Sequence, residues 1–296
     1  MNTEQKEIQK CTDQQKEEMQ REISPQTYQK FETLKKILRD MGSVAIAFSS
    51  GVDSAFLLKT ASMVLGDRAV AVTAQADQFP EWELEESVSF CRAEGVRQII
   101  VKADLLSGEA FSKNPPNRCY LCKKELFGKI RDTAEKEGIR YMAEGSNVDD
   151  LGDYRPGLSA VAELDFKSPL REAGLTKQEI RQLSHMLGLP TWDKPSYACL
   201  ASRFVYGESI TKEKLAMVEQ AEQLLMSMGF RQMRVRVHGS MARIEVVPEE
   251  IEKITRKDVR ERIAGEFRRY GFSYVTLDLN GYRTGSMNET LERKDG

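Results

Sequence analysis

The sequence predicts an α/β protein in which a doubly wound, mostly parallel sheet is followed by a smaller C-terminal α+β domain. Three observations carry that expectation. Strand-length apolar runs alternate with helix-length amphipathic runs from residue 25 to residue 143, the pattern of parallel strands joined by crossover helices. Small polar residues join the first of those strands to the helix after it, the edge on which such sheets hold their ligands. The composition then changes near Thr211, beyond which one helix precedes two paired strands, a helix and a last strand. At 296 residues the chain exceeds a typical single core, so two domains are expected, over 25–208 and 209–296, behind a charged extension over 1–24.

The extension is rich in Gln, Glu and Lys with only scattered Ile8, Met19 and Ile23, so it reads as a frayed or solvated helix and its Cys11 as incidental. A helix over 25–40 follows. Strands over 44–48, 69–73, 98–101 and 139–143 then alternate with helices over 54–64, 81–94 and 123–137. The carboxyl ends of the first and fourth strands carry the serine loop and Glu144-Gly145-Ser146-Asn147, placing both on the ligand edge. Pro156, Pro169, Pro190 and Pro195 punctuate 149–204 around helical stretches at 156–163 and 176–188, and this region closes the larger domain. In the smaller domain a helix over 211–228 leads to strands over 232–238 and 241–247, with Gly239-Ser240 as a two-residue hairpin turn. A helix over 248–270 and a strand over 272–279 complete it.

The junction Phe48-Ser49-Ser50-Gly51-Val52-Asp53-Ser54 reads as a phosphate-binding loop. Small residues let the backbone approach an anion, and the free N–H groups of a helix start, with the hydroxyls of Ser49, Ser50 and Ser54, supply donors. Asp53 would repel a phosphate unless a divalent cation lies between them, so a nucleotide with Mg2+ is the natural reading. The plainer reading, in which Ser49 or Ser50 caps the helix and Asp53 sits in its first turn, stands beside it. No Gly-Lys-Ser/Thr follows, which excludes the loop of kinases and GTPases.

Charged residues make up 30% of the chain and the net charge is −2, which leaves no global footprint for nucleic acid and favours a small or anionic metabolite. Five cysteines, no apolar run of about 18 residues and no secretory signal point to a soluble chain in a reducing cytoplasm. Cys119-Tyr120-Leu121-Cys122 opens a helix after Asn114-Pro115-Pro116-Asn117, where the helix field is expected to lower a thiol pKa, and Cys199 lies in a loop after Pro195. Structural zinc wants four ligands, and the sole histidines are His185 and His238. Three thiolates suit an iron–sulfur cluster with one iron open to an outside group, with buried metal-free thiols or a redox disulfide as alternatives. Cys91 reads as core, His185 as packed or surface, and Trp82 and Trp192 as packing residues. Alternation puts Arg234, Arg236 and His238 on one strand face, and Arg243 and Glu245 share a face of the hairpin partner. Paired arginines suit a phosphate, while a solvated charged face is the plainer reading.

Residues 49–54 resemble the pyrophosphatase loop of the ATP-pyrophosphatase (PP-loop) superfamily, Ser-Gly-Gly-x-Asp-Ser, with Ser50 standing where that pattern has its first Gly. The other carriers are Glu144-Gly145-Ser146-Asn147, Ser168-Pro169-Leu170-Arg171-Glu172, the stretch 195–203, Arg234-Val235-Arg236-Val237-His238-Gly239 and the stretch 277–287. Through these the chain, from about Tyr28 to Asn288, resembles the LarE family of ATP-dependent sulfur transferases, which helps make the nickel-pincer nucleotide cofactor of lactate racemase.

The resemblance implies a HUP-like PP-loop fold and a defined chemistry. ATP adenylates a carboxylate of pyridinium-3,5-dicarboxylic acid mononucleotide with release of pyrophosphate, and sulfur then displaces AMP to give a thiocarboxylate. It implies ATP phosphates on Ser49, Ser50, Gly51 and Ser54, Mg2+ on Asp53, adenine near Thr73 and Ala74, and Gly145 and Ser146 completing the pocket. Arg203, Arg234 and Arg236 fall to the substrate phosphate, and Glu144 and Asp149 are candidates for a second magnesium ligand, with helix capping an equal alternative for Asp149. In some family members the cysteine matching Cys199 gives up its own sulfur. Others carry two more cysteines and hold a 4Fe-4S cluster whose free iron binds a transferable sulfide, and Cys119 and Cys122 place this sequence with the second kind. A homo-oligomer, with a hexamer in view, is also implied; the sulfur supplier is not identified.

Oxide is a hopeless leaving group, so a carboxylate must be adenylated before sulfide can attack it, which explains an ATP loop and clustered thiols in one chain. A tRNA thiolase shares that logic, but it predicts an RNA-binding appendage or a basic surface, and the sequence has neither. A glutamine-dependent amidating enzyme would need a glutaminase module. A non-catalytic module that senses ATP and iron–sulfur clusters is the reading from another class, separated by whether pyrophosphate is released.

Overall fold

The computed structural model describes residues 23–152, 157–195 and 198–283. All but the last two residues of the extension over 1–24, with its Cys11, the start of the stretch at Pro156 and the end of the 277–287 motif lie outside the described residues. The chain forms two compact units, each drawn from separated stretches. The first takes residues through Gln75, Trp82–Ala103 and Lys123–Lys194; the second takes Ala76–Glu81, Asp104–Cys122 and Pro195 onward.

The first unit opens with α1 (Pro25–Met41), whose N-cap Ser24 accepts from Thr27 N at 3.0 Å, whose first turn carries Pro25, and which Gly42 ends at φ 71°. Its sheet consists of β1 (Val44–Ala47), β2 (Ala69–Gln75), β3 (Gln98–Lys102) and β4 (Tyr141–Ala143), all parallel, in the order β3-β2-β1-β4. Between them run α2 (Val52–Leu65), α3 (Glu81–Glu94) and α4 (Arg118–Lys136), and α5 (Gly157–Glu163) and α6 (Lys177–Met186) follow β4. The first turn of α4 counts with the second unit.

Alternation along the strands feeds two cores. Val44, Ile46 and Ala71 point to one face, against Phe31, Leu34 and Leu38 of α1, the buried residues of α2, Phe90 of α3 and Ile180 and Leu183 of α6. Ala45, Val70 and Val72 point to the other, against Ile130 and Ala134 of α4 and Val161 of α5. Helices on both faces explain why the strands read as continuous apolar runs. Cys91 is a core residue, as expected, and burial pushes its thiol up to about 12. The strand order reverses between β1 and β4, so the loops leaving those two strands flank the switch point.

The second unit contains α7 (Lys212–Ser227), β5 (Met233–His238), β6 (Met241–Val246), α8 (Lys257–Tyr270) and β7 (Tyr274–Leu277). β5 and β6 form the expected antiparallel hairpin, with Gly239 at φ 63° in its turn, and β7 adds in parallel to β6. One expectation is corrected. The helix over 248–270 is interrupted: a 3-10 turn Pro248–Glu250, a short helix Ile251–Thr255, and then α8, with Arg256 extended at φ −55°, ψ 142°. The Thr255 hydroxyl donates to Ile251 O at 3.0 Å and Glu252 O at 3.1 Å, satisfying carbonyls at that helix end, and Arg256 pairs with Asp258 across the break. No helix among the described residues is long and apolar enough to cross a membrane.

Candidate functional site

In the first unit, Phe48 extends the β1–β2 ladder by one bond, its N–H meeting Val72 O at 3.0 Å, and the chain then turns sharply. Ser50 adopts φ 53°, the left-handed region in which a residue with a Cβ carries about 1–2 kcal/mol of strain. The residue is nonetheless held on both counts, its Oγ donating to Glu83 O at 3.3 Å and its main-chain O accepting from Lys194 Nζ at 3.1 Å. Gly51 is the N-cap of α2, and no side chain caps this helix. That corrects the reading in which Ser49 or Ser50 serves as the cap. The hydroxyl turned into the loop is that of Ser54, which accepts from Ser49 N at 3.3 Å and donates to Gly51 O at 3.3 Å. The helix start therefore presents its first N–H groups and its positive end without a side-chain cap.

Asp53, in the first turn of α2, accepts from the Lys177 ammonium through Oδ2 and from Asn147 Nδ2 through Oδ1 at 3.3 Å. The loop after β4 packs directly against this turn. A Cβ on Gly145 would lie 3.1 Å from both Asp53 Cβ and Ser54 N, closer than most side chains tolerate, so the approach favours glycine. Buried Glu144 shapes that loop, Oε2 accepting from Ser146 N and Oγ at 3.1 and 2.7 Å and Oε1 from Ser168 Oγ at 2.6 Å. Of the two roles weighed for Asp149, the geometry gives the helix start: Oδ2 accepts from Lys177 N at 2.8 Å, at the first residue of α6. Thr73 and Ala74 lie at the carboxyl end of β2 on the same sheet edge, with Thr73 Oγ1 accepting from Gln98 Nε2 at 2.8 Å.

The structure thus gathers Ser49, Ser50, Gly51, Asp53, Ser54, Gly145 and Ser146 at the switch point. Sequence reasoning missed Asn147's contact, Lys177 and Lys194. Lys177 left a readable cue: a lysine at the first position of a helix faces the positive end of its dipole, so a reason other than helix stability is called for. Lys194 left none beyond its position before Pro195; it sits over the Trp82 ring at 5.4 Å and pairs with Glu86 at 2.5 Å. His185 is exposed and meets Trp192 edge-on at 4.7 Å.

In the second unit, polar residues lace together the segments that carry the three thiols. Buried Asn114, at φ 52°, donates through Nδ2 to Phe204 O at 3.3 Å and Val205 O at 2.7 Å. Arg118 Nη1 reaches Asn114 Oδ1 at 2.5 Å and Ala201 O at 2.8 Å. Leu200 N donates to Gln78 O at 2.9 Å, and Gln78 Nε2 donates to Cys122 Sγ at 3.5 Å. Cys119 is exposed and Cys122 and Cys199 are half-buried.

The expected lowering of a thiol pKa at the helix start is corrected at Cys122. Burial, with the neighbouring Cys199 and Cys119, pushes Cys122 up to about 12 against the opposing Gln78 hydrogen bond and Arg118 charge, desolvation being the largest of these effects. Burial likewise raises Cys199, with Arg118 opposing and Cys119 adding to the rise. The three thiols therefore lie within electrostatic reach of one another. Among the described residues, no group of three or more His, Cys, Asp or Glu side chains is arranged to hold a metal ion.

The charged strand face of β5 is not solvated, which corrects the plainer reading: Arg234 and Arg236 are 4% and 5% exposed. Arg236 donates through Nε and Nη2 to Glu245 Oε2 at 3.1 and 3.0 Å and through Nη1 to Ser202 O at 2.9 Å. Arg234 lies over the Tyr282 ring at 5.1 Å, and burial followed by the like charge of Arg203 lowers its pKa. Arg203, 1% exposed, grips Glu222 with Nε and Nη2 at 2.9 and 2.7 Å and the Cys199 carbonyl with Nη1 at 3.1 Å. Of the arginines expected at a substrate phosphate, Arg203 and Arg236 are thus joined through Ser202 in a buried network that reaches the backbone of the Cys199 segment, with Arg234 buried within electrostatic reach of both.

No family model matches the chain. It is 42% identical over 264 residues to an uncharacterized protein of Synechocystis sp., covering 89% of this chain and 98% of that protein. It is 37% identical over 262 residues to pyridinium-3,5-bisthiocarboxylic acid mononucleotide synthase of Lactiplantibacillus plantarum, covering 88% of this chain and 94% of that enzyme. A shorter match, 28% over 199 residues, pairs 62% of this chain with 63% of a glutamine-hydrolyzing GMP synthase polypeptide of Thermoplasma acidophilum.

Proposed function

The chain belongs to the LarE family of ATP-dependent sulfur transferases, and from that premise we propose that it adenylates a carboxylate of pyridinium-3,5-dicarboxylic acid mononucleotide and converts it to a thiocarboxylate with sulfur handled at Cys119, Cys122 and Cys199. The observation that carries this reading is the lacing of three thiols into one unit of a chain whose other unit presents an uncapped helix start at a serine loop.

In the first half-reaction the substrate carboxylate oxygen attacks the α-phosphorus of ATP, and pyrophosphate leaves with the electron pair of the P–O bond. Ser49, Ser54, the main chain of Ser50 and Gly51 and the N–H groups of the α2 start hold the phosphates, Thr73 and Ala74 border the adenine, and Gly145 and Ser146 close the pocket. Asp53 supplies one hard carboxylate oxygen, which fits Mg2+, an ion that takes its remaining ligands from phosphates and water. When bound, that ion neutralises charge on the phosphates. Lys177, beside Asp53, adds positive charge for the departing pyrophosphate.

In the second half-reaction a sulfide attacks the acyl carbon of the mixed anhydride, AMP leaves with the C–O electron pair, and the thiocarboxylate remains. Three soft sulfur donors without a fourth ligand fit a 4Fe-4S cluster better than a single ion. A single ion needs ligands converging on one point, whereas a cubane takes each thiolate on a separate iron. Bound there, a cluster would supply an iron able to carry the sulfide. Arg203 fixes the backbone of Cys199, and Arg234 and Arg236, buried beside it, lend positive charge toward the substrate phosphate from behind their present contacts. We extend the reading to a cytoplasmic homo-oligomer in which residues 209–296 contribute substrate binding and subunit contacts.

The test is anaerobic reconstitution followed by iron, acid-labile sulfide and Mössbauer analysis on wild type and Cys122→Ala, with pyrophosphate and thiocarboxylate measured over many turnovers. About four irons per chain, lost in the variant along with multiple turnover, supports cluster-borne sulfur. An iron-free wild type that makes one thiocarboxylate per chain assigns the sulfur to Cys199 itself. Absence of pyrophosphate release with this substrate would remove the enzyme reading in favour of a sensing module.

A further inference from the structure

Gln78 lies in Ala76–Glu81, a short stretch of the second unit distant in sequence from both cysteine segments. It is 0% exposed. Its Nε2 donates to Cys122 Sγ at 3.5 Å, and its main-chain carbonyl accepts from Leu200 N, the residue after Cys199, at 2.9 Å. Its Oε1 has no hydrogen-bond partner. The stretch is pinned on both sides of Gln78, by the turn bond from Phe79 N to Ala76 O at 2.9 Å and by Glu81 N donating to Glu219 Oε1 at 2.9 Å.

A buried amide with one end unpaired costs about 1–3 kcal/mol. A side chain needed only for packing would be better as Leu or Met at this position. The cost is accounted for if the other end of the amide is the useful one. A thiolate or an iron-bound sulfur accepts hydrogen bonds and does not donate them, so an N–H held on it both orients it and draws electron density from it.

We propose that Gln78 is a positioning residue for the three-thiol site, holding the Cys122 sulfur with its side chain and the Cys199 segment with its main chain, and tuning the metal centre through the N–H···S bond. This rests on the sulfur-site reading above. An N–H dipole aimed at a ligand sulfur stabilises the more negative, reduced state, so its presence raises the reduction potential.

The test uses the full chain reconstituted anaerobically with iron and sulfide, as wild type, Gln78→Leu and Gln78→Glu, a near-isostere without the N–H donor. Iron per chain, the midpoint potential and the rate of iron loss to a chelator are read. Both variants should bind wild-type amounts of iron, titrate at a lower potential and lose iron roughly 10–100-fold faster. Wild-type potentials and release rates in both variants would overturn the proposal. Unfolding of both, seen by circular dichroism, would also overturn it by making Gln78 a packing residue. If the wild type itself takes up no iron, the cluster reading falls and Gln78 is judged on the iron-free chain. There, Cys122 should alkylate several-fold more slowly relative to Cys119 in Gln78→Leu, and an unchanged ratio overturns the proposal.

Discussion

Lys177 is ion-paired with Asp53, joining the first residue of α6 to the first turn of α2. The side chains remain 34% and 23% exposed, so the pair is worth about 0–1 kcal/mol to the fold. Its position at the switch point gives it a different use. Lys177→Ala and Asp53→Asn should each slow pyrophosphate release about 100-fold or more, with urea unfolding shifted by less than about 1 kcal/mol. Normal release in both variants would sink the assignment of this pair to ATP.

Gly145 permits contact between the loops after β1 and β4. Gly145→Ala places a Cβ 3.1 Å from Asp53 Cβ and Ser54 N, and overpacking of this kind costs about 1–3 kcal/mol. The KM for ATP should rise more than the unfolding midpoint falls. An unchanged KM would show that the two loops do not act as one pocket.

Ser50→Gly sets two effects against each other. It relieves about 1–2 kcal/mol of strain at φ 53° and gives up the hydrogen bond to Glu83 O, worth about 0.5–1.5 kcal/mol. The net change in unfolding free energy should stay within about 1 kcal/mol with adenylation retained. A large loss of adenylation would show that the Ser50 hydroxyl touches the nucleotide.

The pair Arg203–Glu222 is buried on both sides, with Glu222 Oε1 also accepting from Val235 N at 2.9 Å. Removing one partner strands a buried charge, so Arg203→Ala or Glu222→Ala should lower stability by about 3–5 kcal/mol in urea titrations. Lost turnover in either variant with the fold intact would instead place the pair at the substrate.

The raised thiols give two linked pH dependences. Cys122 rises from 9.0 to about 12, so it is protonated near neutrality and must release a proton to bind metal; iron uptake should improve from pH 7 to pH 9. Since the folded state holds the proton more tightly, the stability it adds is present below about pH 9 and is lost as pH rises toward 12. Urea unfolding of iron-free protein should therefore show the advantage of wild type over Cys122→Ala shrinking across that window. A constant difference would contradict the buried neutral thiol.

The parallel sheet was legible because the strands are buried on both faces, so Val44, Ile46, Val70 and Val72 appear as unbroken apolar runs between amphipathic helices. The switch point followed, since the serine loop and Glu144-Gly145-Ser146-Asn147 each end a strand. Lys177 and Gln78 stayed hidden because their partners are distant in sequence, Asp53 in one case and Cys122 in the other. The charged strand face misled for a related reason: alternation places Arg234 and Arg236 on one side, but only tertiary contacts, such as the pair of Arg236 with Glu245 and the packing of Arg234 on Tyr282, bury that side. At Arg256 the sequence carries no proline or glycine to announce the helix break.

The second unit is assembled from Ala76–Glu81, Asp104–Cys122 and Pro195 onward. On a ribosome, Cys119 and Cys122 emerge long before Cys199, Arg203 and the hairpin that complete their surroundings. For that interval the two thiols are exposed to whatever oxidants and stray metals the nascent chain meets. Completion of the three-thiol surroundings is thus an event that waits for Cys199 and the hairpin, and a fragment beginning at Pro195 would carry Cys199 without its two companions.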